Sequence, residues 1–169
     1  MSTLFPSLPD QARLWVYAAD QPLGETQQAR LLEKLDAFFS QWASHGRPVE
    51  GTATIQDDRF LLLSGLVRGG EISGCGMDAS VHAVEETGAA LGISWLSPLS
   101  VFFRDADGIV QSLPRSAFRK LVRAGTVTTE TSVFDLSITT LADVRQGRFE
   151  RPAGETWHAL VFKIPQPIA

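Results

Sequence analysis

The stretch VEGTATIQDDRFLLLSGLV, Val49 to Val67, limits the fold more than any other part of the chain. Two strand-like runs flank the pair Asp57–Asp58, and a short acidic turn between β-branched and apolar runs is a hairpin signal. Strands joined that tightly are antiparallel neighbours. A doubly wound nucleotide-binding half contains no such pair, because its strands are parallel and linked by helices.

The flanking segments extend the pattern. RLWVYAAD, Arg13 to Asp20, follows Pro9 and reads as a first, buried strand. From about Thr26 to Ser44, Leu31, Leu35, Phe38 and Trp42 recur at helical spacing, with Leu32 and Phe39 widening the stripe. HGRP then stops the helix, because Gly46 accepts a positive φ and Pro48 cannot continue the turn. After the hairpin comes SGCGMDASVH, a glycine-rich loop leading into a second helix that carries Val81, Val84 and Leu91 on one face. Asp78 is the expected N-cap of that helix. LSVFFRDADGIVQSL is a second hairpin turning at DADG.

The order through residue 104 is therefore β-α-β-β-α-β. It predicts an α+β protein with a ferredoxin-like βαββαβ core, an antiparallel sheet with two helices on one face. The chain has 169 residues and suits a single domain, with the core at about 13–104 and a C-terminal α/β extension at about 105–169. In that extension PRSAFRKLVRAG and TLADVRQ read as helices, TSVFDLS and HALVFKI as strands, and GRFERPAGE as a linker.

Composition narrows the partners. Hydrophobic residues make up 44% and charged residues 20% of the chain, as in a globular protein, and the net charge is −4. That charge argues against nucleic-acid binding through bulk positive potential. The single cysteine cannot close an intramolecular disulfide. The N-terminal MSTLFPSLPDQ lacks the basic and apolar regions of a signal peptide, and the longest apolar runs, such as FLLL, are too short for a bilayer. The expectation is a cytoplasmic protein without a membrane partner.

Nucleotide chemistry is constrained next. No glycine is followed by lysine, so the phosphate-cradling loop of P-loop ATPases is absent. Gly74, Gly76 and Ala79 match a relaxed dinucleotide pattern, but six residues separate it from the strand and no acidic partner follows at the required distance. A generic anion site at the helix N-terminus is the better reading of that run, with Ser73, Gly74, Gly76 and Ser80 as ligand-binding candidates. The sequence leaves the cofactor unknown.

The same run offers catalytic candidates. Cys75 near a helix N-terminus is placed to favour a thiolate nucleophile, unless it is simply a small buried hydrophobe. Asp78 and His82, spaced i, i+4, share a helical face, so the carboxylate can orient the imidazole as a base. The plainer alternative is that Asp78 caps while His82 sits on a solvated face with Glu85 and Glu86. His158, beside Trp157 at the start of the last strand, is expected to approach the loop and face His82. Together with Cys75 it would form a nucleophile–base arrangement. A metal site is the weaker version, because only one thiolate is present. His45 ends the first helix. Arg115, Arg119 and Arg123, with Lys120 alongside, form a basic stripe that is either a solvated face or a contact for a phosphate-bearing partner.

LWVYAADQPL, QWASHGRPVEG, RFLLLS, SGCGMDASVH, TSVFDLSITT and ETWHALVFK together resemble a family of short bacterial proteins of uncharacterised activity that often carry the automatic label "ABC transporter ATPase". The resemblance spans nearly the whole chain. Its most specific element is carried by Ser73, Gly74, Cys75, Met77, Asp78, Ser80, Val81 and His82. The label conflicts with the missing P-loop. What the resemblance implies is a site that includes Cys75, Asp78, His82, His45 and His158. Three functions stay open: cysteine-dependent catalysis, a non-catalytic binding or regulatory module for an anionic small molecule, and a nucleic-acid-associated module using Trp42, Arg47 and the Arg115–Arg123 stripe.

Overall fold

A computed structural model describes residues 3–168. Among them the chain divides into two compact units, one running to Leu96 and taking in Thr139–Arg145, the other formed by Ser97–Ile138 and the residues from Gln146 on. The first unit is built from two separate stretches of chain.

The first unit contains β1 (Arg13–Ala18), α1 (Glu25–Phe39), β2 (Ala43–Ser44), β3 (Arg47–Pro48), β4 (Glu50–Gln56), β5 (Phe60–Leu66) and α2 (Gly74–Ala90). Its main sheet has the order β1-β5-β4, with β5 antiparallel to both neighbours. Asp57 and Asp58 take positive φ values of 54° and 55°, which aspartate tolerates better than most residues, and they close the expected hairpin. Phe60, Leu61, Leu62 and Leu63 are all fully buried, so this stretch of β5 is covered on both faces and reads as a continuous apolar run rather than an alternating one. Leu31 and Leu35 of α1 and Val84 of α2 join Leu61 and Leu63 in one core cluster, which places both helices on the same face of the sheet.

Residues 101–104, expected to supply the fourth strand of a ferredoxin-like core, do not join this sheet. The outer edge of β1 is instead met by two short pieces of chain, through antiparallel bridges Ala19↔Trp95 and Arg13↔Thr140. Leu96 N donates to Ala18 O at 2.8 Å and Leu14 N to Thr139 O at 2.9 Å, so one amide and one carbonyl of the edge are satisfied without a full strand.

The second hairpin, β6 (Val101–Arg104) and β7 (Val110–Leu113), belongs to the second unit. It is followed by α3 (Arg115–Arg123), β8 (Ser132–Phe134), α4 (Leu141–Arg145, within the first unit), β9 (Glu150–Pro152) and α5 (Trp157–Val161). The sheet order is β7-β6-β8-β9, all antiparallel. The reason β6 leaves the first sheet is visible in its packing: Val101 and Phe103 bury against Phe118, Val122 and Val133 in a separate apolar cluster. The Arg104 guanidinium holds Glu150 through two hydrogen bonds and ties β6 to β9.

Four local expectations need correction. The first helix ends at Phe39, and Trp42 lies beyond it, 3% exposed. The second helix starts at Gly74, with Ser73 and not Asp78 as its N-cap. GRFERPAGE is no linker, because it contains β9. HALVFKI is not a strand: Thr156 accepts a hydrogen bond from the His158 amide and opens the short helix α5.

Candidate functional site

The start of α2 is built by close packing. Ser73 Oγ accepts from Gly76 N at 3.1 Å, and Ser44 Oγ in β2 accepts from Ser73 N at 2.7 Å. The two hydroxyls also bond each other at 2.9 Å. The Trp42 indole donates to Gly76 O at 2.9 Å. A Cβ on Gly76 would lie 2.9 Å from Ile72 and 3.3 Å from Ser44, so this glycine permits close approach of helix and hairpin. Gly51 and Gly65 are directly paired across β4 and β5. A Cβ on either would fall within 2.8 Å of the Trp42 ring, so the pair opens a notch for the indole.

The ligand-binding candidates are thereby occupied in different ways. The Ser73 hydroxyl is engaged with Gly76 and Ser44, Ser80 is fully buried with its hydroxyl donating to Met77 O, and Gly76 is sealed by neighbours. Gly74 alone is open, with nothing within 4 Å of its Cβ position.

Cys75, Asp78 and His82 follow one another at i, i+3 and i+7 on the outer face of α2. Cys75 is exposed rather than a core filler. The His82 imidazole pairs with Glu86 at 3.5 Å, with both side chains more than 70% exposed. Asp78 makes no hydrogen bond or ion pair with His82 among the described residues. The face therefore presents a free thiol and a carboxylate–imidazole pair that excludes the expected orienter. Nor does any group of three or more His, Cys, Asp or Glu residues among the described residues adopt an arrangement able to hold a metal ion.

His158 lies in the second unit, whereas Cys75, Asp78 and His82 lie in the first. It is 1% exposed and stacks on Trp157 with ring centres 3.8 Å apart. Phe118 and Phe162 complete its aromatic surroundings. Its Nδ1 and Thr156 Oγ1 share a hydrogen bond at 2.8 Å, and Thr156 Oγ1 also lies 3.0 Å from Ala153 O. Burial pushes the imidazole down to about 4. Asp135 pulls the other way, and Arg115 adds to the lowering. At neutral pH this is an uncharged, hydrogen-bonded core histidine. His45 is exposed at the β2–β3 turn, with φ 50°.

A different constellation appears around Trp157. A pocket of about 500 Å³ is walled by Pro98, Phe134, Leu136, Trp157 and Val161, with Ser100, Ser137 and Arg115 as its polar lining. The Arg115 guanidinium lies over the Trp157 ring at 5.6 Å, on a ring that also stacks with His158. Behind the wall, the buried Asp135 carboxylate accepts from Trp157 Nε1 at 3.2 Å and from Ser137 N at 2.9 Å, which fixes both the indole and the serine. Arg115 forms no ion pair with a carboxylate among the described residues.

Sequence reasoning found Arg115, Trp157 and His158 but not what joins them. Asp135 and Ser137 stood in the run TSVFDLS without any signal of a role, because Asp135 meets Trp157 22 residues away and Ser137 takes its place through Asp135. The nucleic-acid reading loses its aromatic platform, because Trp42 is buried. No helix among the described residues is long and apolar enough to cross a membrane. No family model, curated protein or solved structure matches the chain.

Proposed function

We propose that the protein is a non-catalytic binding module for an anionic small molecule, seated in the second unit's pocket. The observation that carries this reading is the Arg115 guanidinium at an apolar, aromatic-walled pocket, with no carboxylate among the described residues paired to it. A planar cation with fork geometry suits a carboxylate, and the walls suit an apolar or aromatic body attached to it. Asp135 serves as a positioning residue through Trp157 and Ser137.

Calorimetric titration with benzoate tests the proposal. Benzoate should bind saturably and its neutral analogue benzamide should not. Arg115→Gln should weaken benzoate about tenfold or more, the value of one charge-assisted hydrogen bond set. Saturable binding that survives Arg115→Gln unchanged would sink the reading, as would no binding to the wild type.

A second reading keeps thiol chemistry at Cys75, supported by its exposure in the first turn of a long helix. It predicts rapid alkylation at pH 6, and a thiol that alkylates no faster than a free cysteine removes it. On the fold, we read the first unit as a ferredoxin-like arrangement with a vestigial fourth strand. The support is the order β1-β5-β4 and the single bridge from Trp95 to the edge of β1.

A further inference from the structure

A second concavity in the second unit, about 470 Å³, lies against α3 and the end of α5. Its floor is apolar, from Val122, Val161, Phe162 and Pro165, and its remaining lining is three cations: Arg119, Arg123 and Lys163. We propose that these three side chains form a binding site for a phosphomonoester dianion.

Three observations converge on it. The first is charge without compensation. Arg68, Arg104 and Arg145 are each paired with a carboxylate. Among the described residues, none of the three pocket cations is in an ion pair. Three like charges around one hollow repel one another, in a chain whose net charge is −4. A dianion with three terminal oxygens relieves that repulsion where a monoanion would relieve it only in part.

The second is anchoring. Arg119 and Arg123 are one helical turn apart and share a face of α3. The Arg119 guanidinium lies 5.5 Å above the Phe162 ring, which is itself buried at the floor. The cation is thus held by an aromatic face rather than left to sweep through solvent.

The third is the backbone at Lys163, whose φ is +51°. The chain ends α5 there with Phe162 N donating to His158 O and Ile164 N to Ala159 O. This is the left-handed helix terminus that glycine normally fills. Phe162 and Ile164 are 5% and 4% exposed, so the turn is clamped from both sides. A lysine where glycine is favoured is a backbone outlier that points to its side chain. Helix C-termini do attract cations, which would account for Arg123 and Lys163 taken singly. It does not account for Arg119, which stands in the middle of α3 and meets them across the same hollow.

The site shares Val161 with the Trp157 pocket but none of its cations, so anion binding here can fail or succeed independently of Arg115. The test is calorimetry with phenyl phosphate at low ionic strength, beside flotation with phosphatidylcholine vesicles that contain or lack phosphatidic acid. Phenyl phosphate should bind saturably. Arg119→Gln with Arg123→Gln should weaken it at least tenfold, and acetate at equal concentration should not compete. Binding to phenyl phosphate without vesicle capture assigns a soluble phosphomonoester, and capture by phosphatidic acid vesicles assigns a lipid phosphate. Lys163→Gly separates a binding role from a structural one. It should raise the thermal midpoint by releasing the positive-φ strain, and still weaken phenyl phosphate several-fold. Lys120→Gln removes one charge from the same helix outside the pocket and should leave binding unchanged. Three results overturn the proposal: no binding of either probe, Lys120→Gln as damaging as the double variant, or Lys163→Gly with full affinity.

Discussion

The runs SGCGMDASVH and ETWHALVFK are both histidine-bearing and both distinctive in sequence, yet the fold treats them in opposite ways. In the first, Gly76 and the serines are consumed by packing, while Cys75, Asp78 and His82 face outward. In the second, His158 is sealed among Trp157, Phe118 and Phe162, and the adjacent indole becomes the wall of a pocket. The lesson is that a distinctive run does not say how its imidazole is housed: Phe118 of α3 buries His158 together with its chain neighbours Trp157 and Phe162. What surrounds it in space decides whether it is a solvated pair or a buried neutral base.

The largest expected effect tests that contrast directly. His158 has its folded pKa lowered to about 4, so the fold holds it neutral while the unfolded chain binds a proton below the ordinary value of 6.5. Its contribution is fully present above pH 6.5 and is lost as pH falls toward 4, by up to about 3 kcal/mol. Urea denaturation of the wild type and of His158→Gln at pH 7.5 and 4.5 should show a smaller pH-dependent loss in the variant. Parallel losses would mean that His158 is solvated. His82→Gln at pH 7 should stay within about 0.5 kcal/mol of the wild type, as expected for an exposed pair.

An intermediate effect distinguishes the two glycines of the first run. Gly76→Ala should cost about 2 kcal/mol, because its Cβ would press on Ile72 and Ser44. Gly74→Ala meets open space and should be neutral or slightly stabilising, by about 0.5 kcal/mol. Equal losses at both positions, measured by chemical denaturation, would count against the close-packed helix start.

The smallest effect concerns the cap. Ser73→Ala should cost about 1 kcal/mol through the lost bond to the Gly76 amide. Asp78→Ala, one turn further in, should cost less than about 0.5 kcal/mol. A reversed ranking in thermal melts would restore Asp78 as the terminus.

Elements defined by local chemistry were legible. The Asp57–Asp58 hairpin, β1, the DADG hairpin, α3 ahead of Gly125, and the antiparallel α+β character all followed from turn residues and periodicity. Misreadings arose where distant partners decide. HALVFKI has a β-favouring composition, but the Thr156 cap and the burial of Phe162 and Ile164 draw it into a helix and its terminal turn. Trp42 continues the helical stripe of α1 by spacing, yet the notch at Gly51 and Gly65 takes it out of the helix and into the core. Within the candidate site, Arg115 and Trp157 could be picked out one at a time. Their stacking, and the Asp135 carboxylate behind them, could not.

By itself the sequence determined the hairpin order of the strands, the absence of a P-loop and the acidic balance, because each depends on residues adjacent in the chain or on simple counts. Only the tertiary structure decided that residues 101–104 build a second sheet, that Ser73 rather than Asp78 caps α2, and that Arg115, Trp157 and Ser137 share a pocket. The physical reason is range. Turn geometry and helix periodicity act over a few residues. Apolar burial, desolvation and charge pairing are set by groups brought together across dozens of residues.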